Sequence, residues 1–271
     1  EFADAMLEAM EYCNMLERTV GEPHNGEVCD LIVTMREFIP GSVPFAYYLA
    51  ILGFGEGRYA QVIKAIQFVL DSKWGFNASQ CHLLLAQIRL QMKQFDEAEA
   101  ALNRAVAYDF SVRSSLRYNM ILAQLSEARG QFDKAESAVN SLMKTPEYTS
   151  ATPHERLNVI IFLAHVYKKM NRSNEALSTI DSAISRFDEP EQKGQLLLSK
   201  ASIYVKNDNI SEALKILDEF DPKSSLYSKA RKKAAKIYLN KLKDKTRYIR
   251  CFKQLCENAP TKTNYTLLGN A

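Results

Sequence analysis

Glycine and proline are scarce, with 10 and 8 in 271 residues. An all-β fold needs a turn about every 8–12 residues, and so few breakers cannot supply them. Long apolar runs are also missing. The longest stretch, residues 157–166, contains His165 and ends in Tyr167-Lys168-Lys169, well short of the roughly 18–20 residues of a membrane span. Membrane insertion is therefore not expected. No secretory pattern opens the chain, but it begins at Glu1-Phe2 rather than at Met, so its start says little about targeting. Histidines number four and cysteines five. An odd count with irregular spacing (Cys13, Cys29, Cys81, Cys251, Cys256) points to a reducing, cytoplasmic compartment.

Catalytic and metal motifs are missing as well. There is no G-x-S-x-G elbow, no H-E-x-x-H and no phosphate loop. Gly53-Phe54-Gly55-Glu56-Gly57 is the one glycine cluster, and no Lys-Ser/Thr follows it, so it reads as a turn. Cys81-His82 has no second Cys/His pair at metal-ligand spacing. Cys251 and Cys256 stand about 140° apart around a helix axis and share no face. Carboxylate pairs such as Asp96-Glu97 and Glu189/Glu191 fall at helix starts, where acids suit the helix dipole. The expectation is a chain that is not an enzyme and holds no cofactor or metal.

What is present is a 46% apolar, 25% charged composition rich in helix formers. Residues 80–110 read as two amphipathic helices about a polar turn, and the rest of the chain repeats that unit. A small residue recurs in the first helix of each copy at Ala50, Ala86, Ala123, Ala164, Ala201, Ala235 and Gly269. Twelve residues after the first five stand Val62, Ala98, Ala135, Ala176 and Ala213, and four further on Ile66, Leu102, Val139, Ile180 and Leu217. The sixth copy needs one extra residue to place Tyr248, Phe252 and Leu255. A first-helix aromatic stands at Tyr167, Tyr204 and Tyr238 but not at Arg89 or Ser126.

A period near 34 with this small/small/large spacing resembles the tetratricopeptide repeat. The expected fold is all-α, a right-handed superhelical α-solenoid of helical hairpins. Residues 1–41 are expected to form a helical pair, residues 42–262 six repeats, and residues 263–271 the start of another. The longest inter-repeat loop is expected at residues 145–153. No polar cap follows the last copy, so a segment of a longer solenoid is expected.

First helices line the inner groove of such an array. Its polar residues would be Gln87, Gln91, Gln124, Glu127, His165, Lys168, Lys169, Ser202, Lys206 and Lys236. They suit an extended peptide or a partner helix, weighed against a solvated face with no ligand. A C-terminal carboxylate clamp is excluded, because its positions hold Tyr47, Ile51, Leu83, Gln87, Met120 and Gln124.

Net charge is only +3, yet residues 1–30 hold eight acids against Arg18, and residues 229–253 hold eleven Lys/Arg against Asp244. Arg231, Lys232, Lys233 and Lys243 are expected to form a basic face. A solvated or subunit-contacting face is the stronger reading there, ahead of an acidic partner, an acidic lipid surface or nucleic acid. No nucleic-acid motif accompanies it.

Residues 230–239 (ARKKAAKIYL), 248–252 (YIRCF), Pro260 and Leu267-Leu268-Gly269 are similar to late repeats in the family of large tetratricopeptide subunits of intraflagellar transport complex A. Asp109-Phe110-Ser111-Val112-Arg113 and Leu116-Arg117-Tyr118 resemble an earlier part of the same region. The resemblance spans residues 80–271. It implies a non-enzymatic scaffold segment serving retrograde transport and ciliary cargo entry. Its partners would be other complex subunits or cargo adaptors, in the cytoplasm, the cilium and its cytoskeleton-associated base. A general adaptor outside cilia, and a regulatory repeat region of a larger enzyme, remain the alternatives.

Overall fold

The structure, a computed structural model, describes residues 41–72, 75–258 and 260–269. The expected helical pair over residues 1–41 lies outside the described residues, apart from Gly41. The described residues form fourteen α-helices with one 3-10 turn and one π turn, and no strand. The chain divides into two compact units, residues 1–138 and 139–271.

The first unit holds α1 (Val43–Gly55), α2 (Tyr59–Asp71), α3 (Ala78–Gln91), α4 (Phe95–Tyr108), a 3-10 turn (Phe110–Ser114), α5 (Leu116–Ala128) and the larger part of α6 (Phe132–Leu142). The second holds the end of α6, α7 (Pro146–Ser150), α8 (Pro153–Lys169), α9 (Ser173–Ile184), α10 (Pro190–Lys206), α11 (Ile210–Asp218), α12 (Tyr227–Ile237), the π turn (Tyr238–Leu242), α13 (Lys245–Asn258) and α14 (Lys262–Gly269). Within each unit successive helices pair as hairpins, and each hairpin packs on the next. This is the all-α repeat fold of a solenoid.

The periodic residues explain the packing. Ala50, Ala86, Ala123, Ala164, Ala201 and Ala235 are all buried, as are Val62, Ala98, Ala135, Ala176 and Ala213. At the alanine positions a methyl side chain lets two backbones approach where helices cross. Larger side chains fill the space beside them. Tyr47, Ile51, Ile66, Leu84 and Ile88 make one core cluster of the first unit. Leu198, Leu217, Phe252 and Leu255 belong to one in the second. Each fully buried aliphatic side chain contributes about 1.5–3 kcal/mol.

Every hairpin turn uses one device. A residue in the left-handed region ends the first helix at Gly57, Lys93, Gly130, Asn171, Asp208 and Lys243. The next residue's N–H then reaches back five positions to a helix carbonyl: Arg58 to Gly53, Gln94 to Arg89, Gln131 to Ser126, Arg172 to Tyr167 and Asn209 to Tyr204, all at 2.8–3.0 Å. This satisfies a carbonyl that the helix end leaves open. In the last hairpin the reach is six, Asp244 to Tyr238 at 2.9 Å. The π turn lies inside that reach, and it absorbs the one extra residue expected in the sixth copy.

The loop expected at residues 145–153 is instead partly helical. Thr145 Oγ1 accepts from the Tyr148 N–H at 3.3 Å, with Pro146 at the first helical position of α7. Thr152 and Glu155 then form a reciprocal capping box that starts α8. Two Thr-Pro starts in succession nucleate two helices where turn composition alone suggests irregular chain.

Candidate partner-binding surface

The expected groove residues follow the small crossing residue by one, four or five positions, so they leave the packed seam on its open side. In the first unit Gln87 is half-buried, and its Oε1 accepts from Arg117 Nη2 at 2.8 Å. Arg117 Nη1 also donates to Gln80 Oε1 at 3.3 Å. Gln87 is thus tied to the next first helix, a positioning role that the sequence does not reveal. Gln91 is exposed, while Gln124 and Glu127 are half-buried.

In the second unit the same positions carry a different chemistry. His165 and Lys168 on α8 are half-buried, and Lys169 is exposed. Ser202 on α10 is half-buried, and Lys206 and Lys236 are exposed. Lys233, assigned by sequence to a separate basic face, turns into this group. Its Nζ donates to Ser202 Oγ at 2.5 Å and to the Leu198 carbonyl at 3.4 Å. Burial holds the Lys168 ammonium below the ordinary lysine range, and the charges of Lys169 and Lys206 lower it further. Lys233 is lowered by burial too, then by Lys168 and Lys236. Among the described residues none of Lys168, Lys169, Lys206, Lys233 and Lys236 is paired with a carboxylate. Three successive first helices therefore gather cations at one place.

A cavity of about 280 Å³ opens beside them. Ala201, Val205, Leu217 and Ile237 supply its apolar walls, and Ser202, Lys233, Lys236, Asn240 and Lys241 its polar ones. The π turn contributes Asn240 and Lys241. Lys241 Nζ is paired with Asp208 at 2.6 Å. Neither turn residue belongs to the first-helix pattern.

The expected basic face is not one surface. Arg231 is a core residue, its side chain 7% exposed. It pairs with Asp218 at 2.7 Å, donates to the Leu217 carbonyl, and reaches Gln254 Oε1 at 3.4 Å. Lys232 is half-buried, and Lys243 is exposed in its left-handed turn. Positions 231 and 233 are about 200° apart around α12, so one meets α11 and α13 while the other meets α10. The signal was present in the spacing: Tyr227, Ala230, Arg231 and Ala234 form an i, i+3, i+4, i+7 stripe, and all four are buried. Arg231 then helps line a second cavity of about 410 Å³ with Asp218, Tyr238, Arg247, Arg250, Cys251 and Gln254.

Residues with catalytic potential are used in packing. Cys81 is buried, and its thiol is pushed up to about 12, chiefly by burial. His82 is buried against the Tyr108 ring, centroids 5.3 Å apart. Cys251 and Cys256 are buried free thiols. Among the described residues no three His, Cys, Asp or Glu side chains gather as metal ligands. No described helix is long and apolar enough to cross a membrane.

Residues 110–255, more than half of the chain, match the family described as tetratricopeptide repeat protein 21 ARM repeat. The chain belongs to that family. Residues 79–111 match the tetratricopeptide repeat itself. Human tetratricopeptide repeat protein 21B is 24% identical over 99% of this chain, which spans 21% of that protein. Human tetratricopeptide repeat protein 21A is 28% identical over 70% of the chain and 15% of its own length. The Caenorhabditis elegans homolog is 26% identical over 77% of the chain and 16% of its own length. The chain thus spans about a fifth of the length of these relatives. Among solved structures, the Rap protein complexed with competence and sporulation factor covers 98% of this chain and 78% of its own, at TM-score 0.67 and 15% identity. The Cut9–Hcn1 assembly of the APC/C covers 94% of this chain and 47% of its own, at TM-score 0.60 and 13% identity. These two share the fold.

Proposed function

We propose that this member of the tetratricopeptide repeat protein 21 family is a non-enzymatic scaffold segment of a ciliary transport subunit. It would hold other subunits of intraflagellar transport complex A, or cargo adaptors, for retrograde movement and cargo entry at the cilium and its base. One observation carries the reading: sequence likeness to the 21B relative runs over 99% of the chain. The late-repeat runs at residues 230–239 and 248–252 supply the link to complex A. The physical basis is that, within each unit, small-residue seams fix the spacing of first helices and leave polar side chains between them for partners. Affinity purification of the full-length protein from ciliated cells tests the proposal. Recovery of complex-A subunits is expected. Recovery of unrelated partners without them would contradict the ciliary role and return the general adaptor reading.

A further inference from the structure

Like charges gathered on a folded surface oppose folding unless something offsets them. Lys168, Lys206, Lys233 and Lys236 come from three helices, α8, α10 and α12, so no single helical sequence explains their meeting. Two of them are half-buried, and no described carboxylate answers any of the four. The cavity beside them has apolar walls in Val205, Ile237 and Ala201 and is large enough for one branched or aromatic side chain. Cations around an apolar recess are complementary to an apolar side chain flanked by carboxylates.

We propose that this pocket receives a short acidic segment of a partner protein, seating one apolar side chain against Val205 and Ile237 while flanking carboxylates pair with Lys168, Lys206, Lys233 and Lys236. The recess argues for a protruding segment over a flat lipid surface, because Lys168 and Lys233 are half-buried while Lys206 and Lys236 are exposed. It argues against nucleic acid because no aromatic ring lines the cavity for a base to stack on. Ser202 holds Lys233 in place by accepting from its Nζ. The inference rests on the scaffold reading but not on the ciliary one.

The test is fluorescence anisotropy of the full chain with a labelled short polyglutamate peptide carrying a central leucine. Binding is expected, weaker with alanine at the centre and weaker as salt rises. Replacing Lys168→Gln, Lys206→Gln and Lys236→Gln together should weaken it about tenfold, because three of the four cations that face the carboxylates are lost. Val205→Asn should abolish the preference for leucine over alanine. Circular dichroism and melting must show each variant folded. Unchanged affinity in the triple variant overturns the proposal. So does competition of equal strength by single-stranded RNA or by phosphatidylserine vesicles. Loss of the peptide site with complex-A subunits still recovered would sink this inference alone, and failure to recover them with the peptide still bound would sink only the ciliary role.

Discussion

Arg231 shows how one side chain can be misplaced by charge alone. Its guanidinium serves Asp218, the Leu217 carbonyl and Gln254 from inside the core. Arg231→Met keeps the stem but removes those bonds, and should cost about 2–3 kcal/mol, read from urea denaturation. Arg231→Glu would set a second carboxylate beside Asp218 and should unfold the last hairpins, so charge reversal of the surface belongs at Lys232 and Lys236 instead. The turn residues give the opposite sign. Lys93 holds a left-handed φ of 61° that costs an L-residue about 1–2 kcal/mol. Lys93→Gly relieves it, less the greater entropy of glycine in the unfolded chain, and should gain about 0.5–1 kcal/mol in the same denaturation series. Gly130→Ala, at φ 76°, should lose at least as much. His82 supplies a pH test. Burial, then Arg104, lowers its folded value, so below about pH 6.5 the unfolded chain takes up a proton that the folded chain refuses. Stability falls as pH falls through that window. The melting temperature should drop less in His82→Gln between pH 7 and pH 5 than in the parent chain.

At the scale of the helix, the seam was legible and its polar surroundings were not. Ala86 and Ala98 recur at fixed offsets because backbone approach tolerates only small residues there, Leu102 recurs because it fills the space beside them, and that constraint is written in single letters. The one-residue surplus of the sixth copy was legible too, though not its form as a π turn. Arg117 bonding Gln87, or Lys233 bonding Ser202, depends on how far one hairpin is rotated on the next, and no local period encodes that. The same holds for the lysine cluster, where Lys168 meets Lys206 from 38 residues away and Lys233 from 65. Its charges have a measurable consequence. Lys168 and Lys233 are held below the ordinary lysine range, so the unfolded chain binds more protons just below that range and stability rises with pH there. At pH 7 and low salt Lys168→Gln should melt higher than the parent chain. The gap should narrow as pH approaches 10 or as salt is added. A variant that melts lower under all these conditions would show that the lysine stem matters more than the repulsion. On the crossing seam, Ala86→Leu should cost about 1–3 kcal/mol by overpacking, seen as a lower denaturation midpoint.

At the scale of the molecule, two compact units carry different surface chemistry on equivalent helices. The first presents amides and Glu127, with Gln87 fixed by Arg117, and the second presents lysines around an apolar recess. Repeats keep the seam and vary the exposed positions, so one scaffold can offer distinct faces to distinct partners. The chain spans about a fifth of the length of the relatives it matches. Cross-linking mass spectrometry of the complex purified through the full-length protein examines those faces directly, because lysines are both the reactive groups and the proposed contacts. Cross-links from Lys168, Lys206 or Lys236 to acidic segments of other complex-A subunits are the expected result. Cross-links from these lysines only to the same polypeptide, with other subunits present and cross-linked elsewhere, would contradict a partner-holding surface at this place.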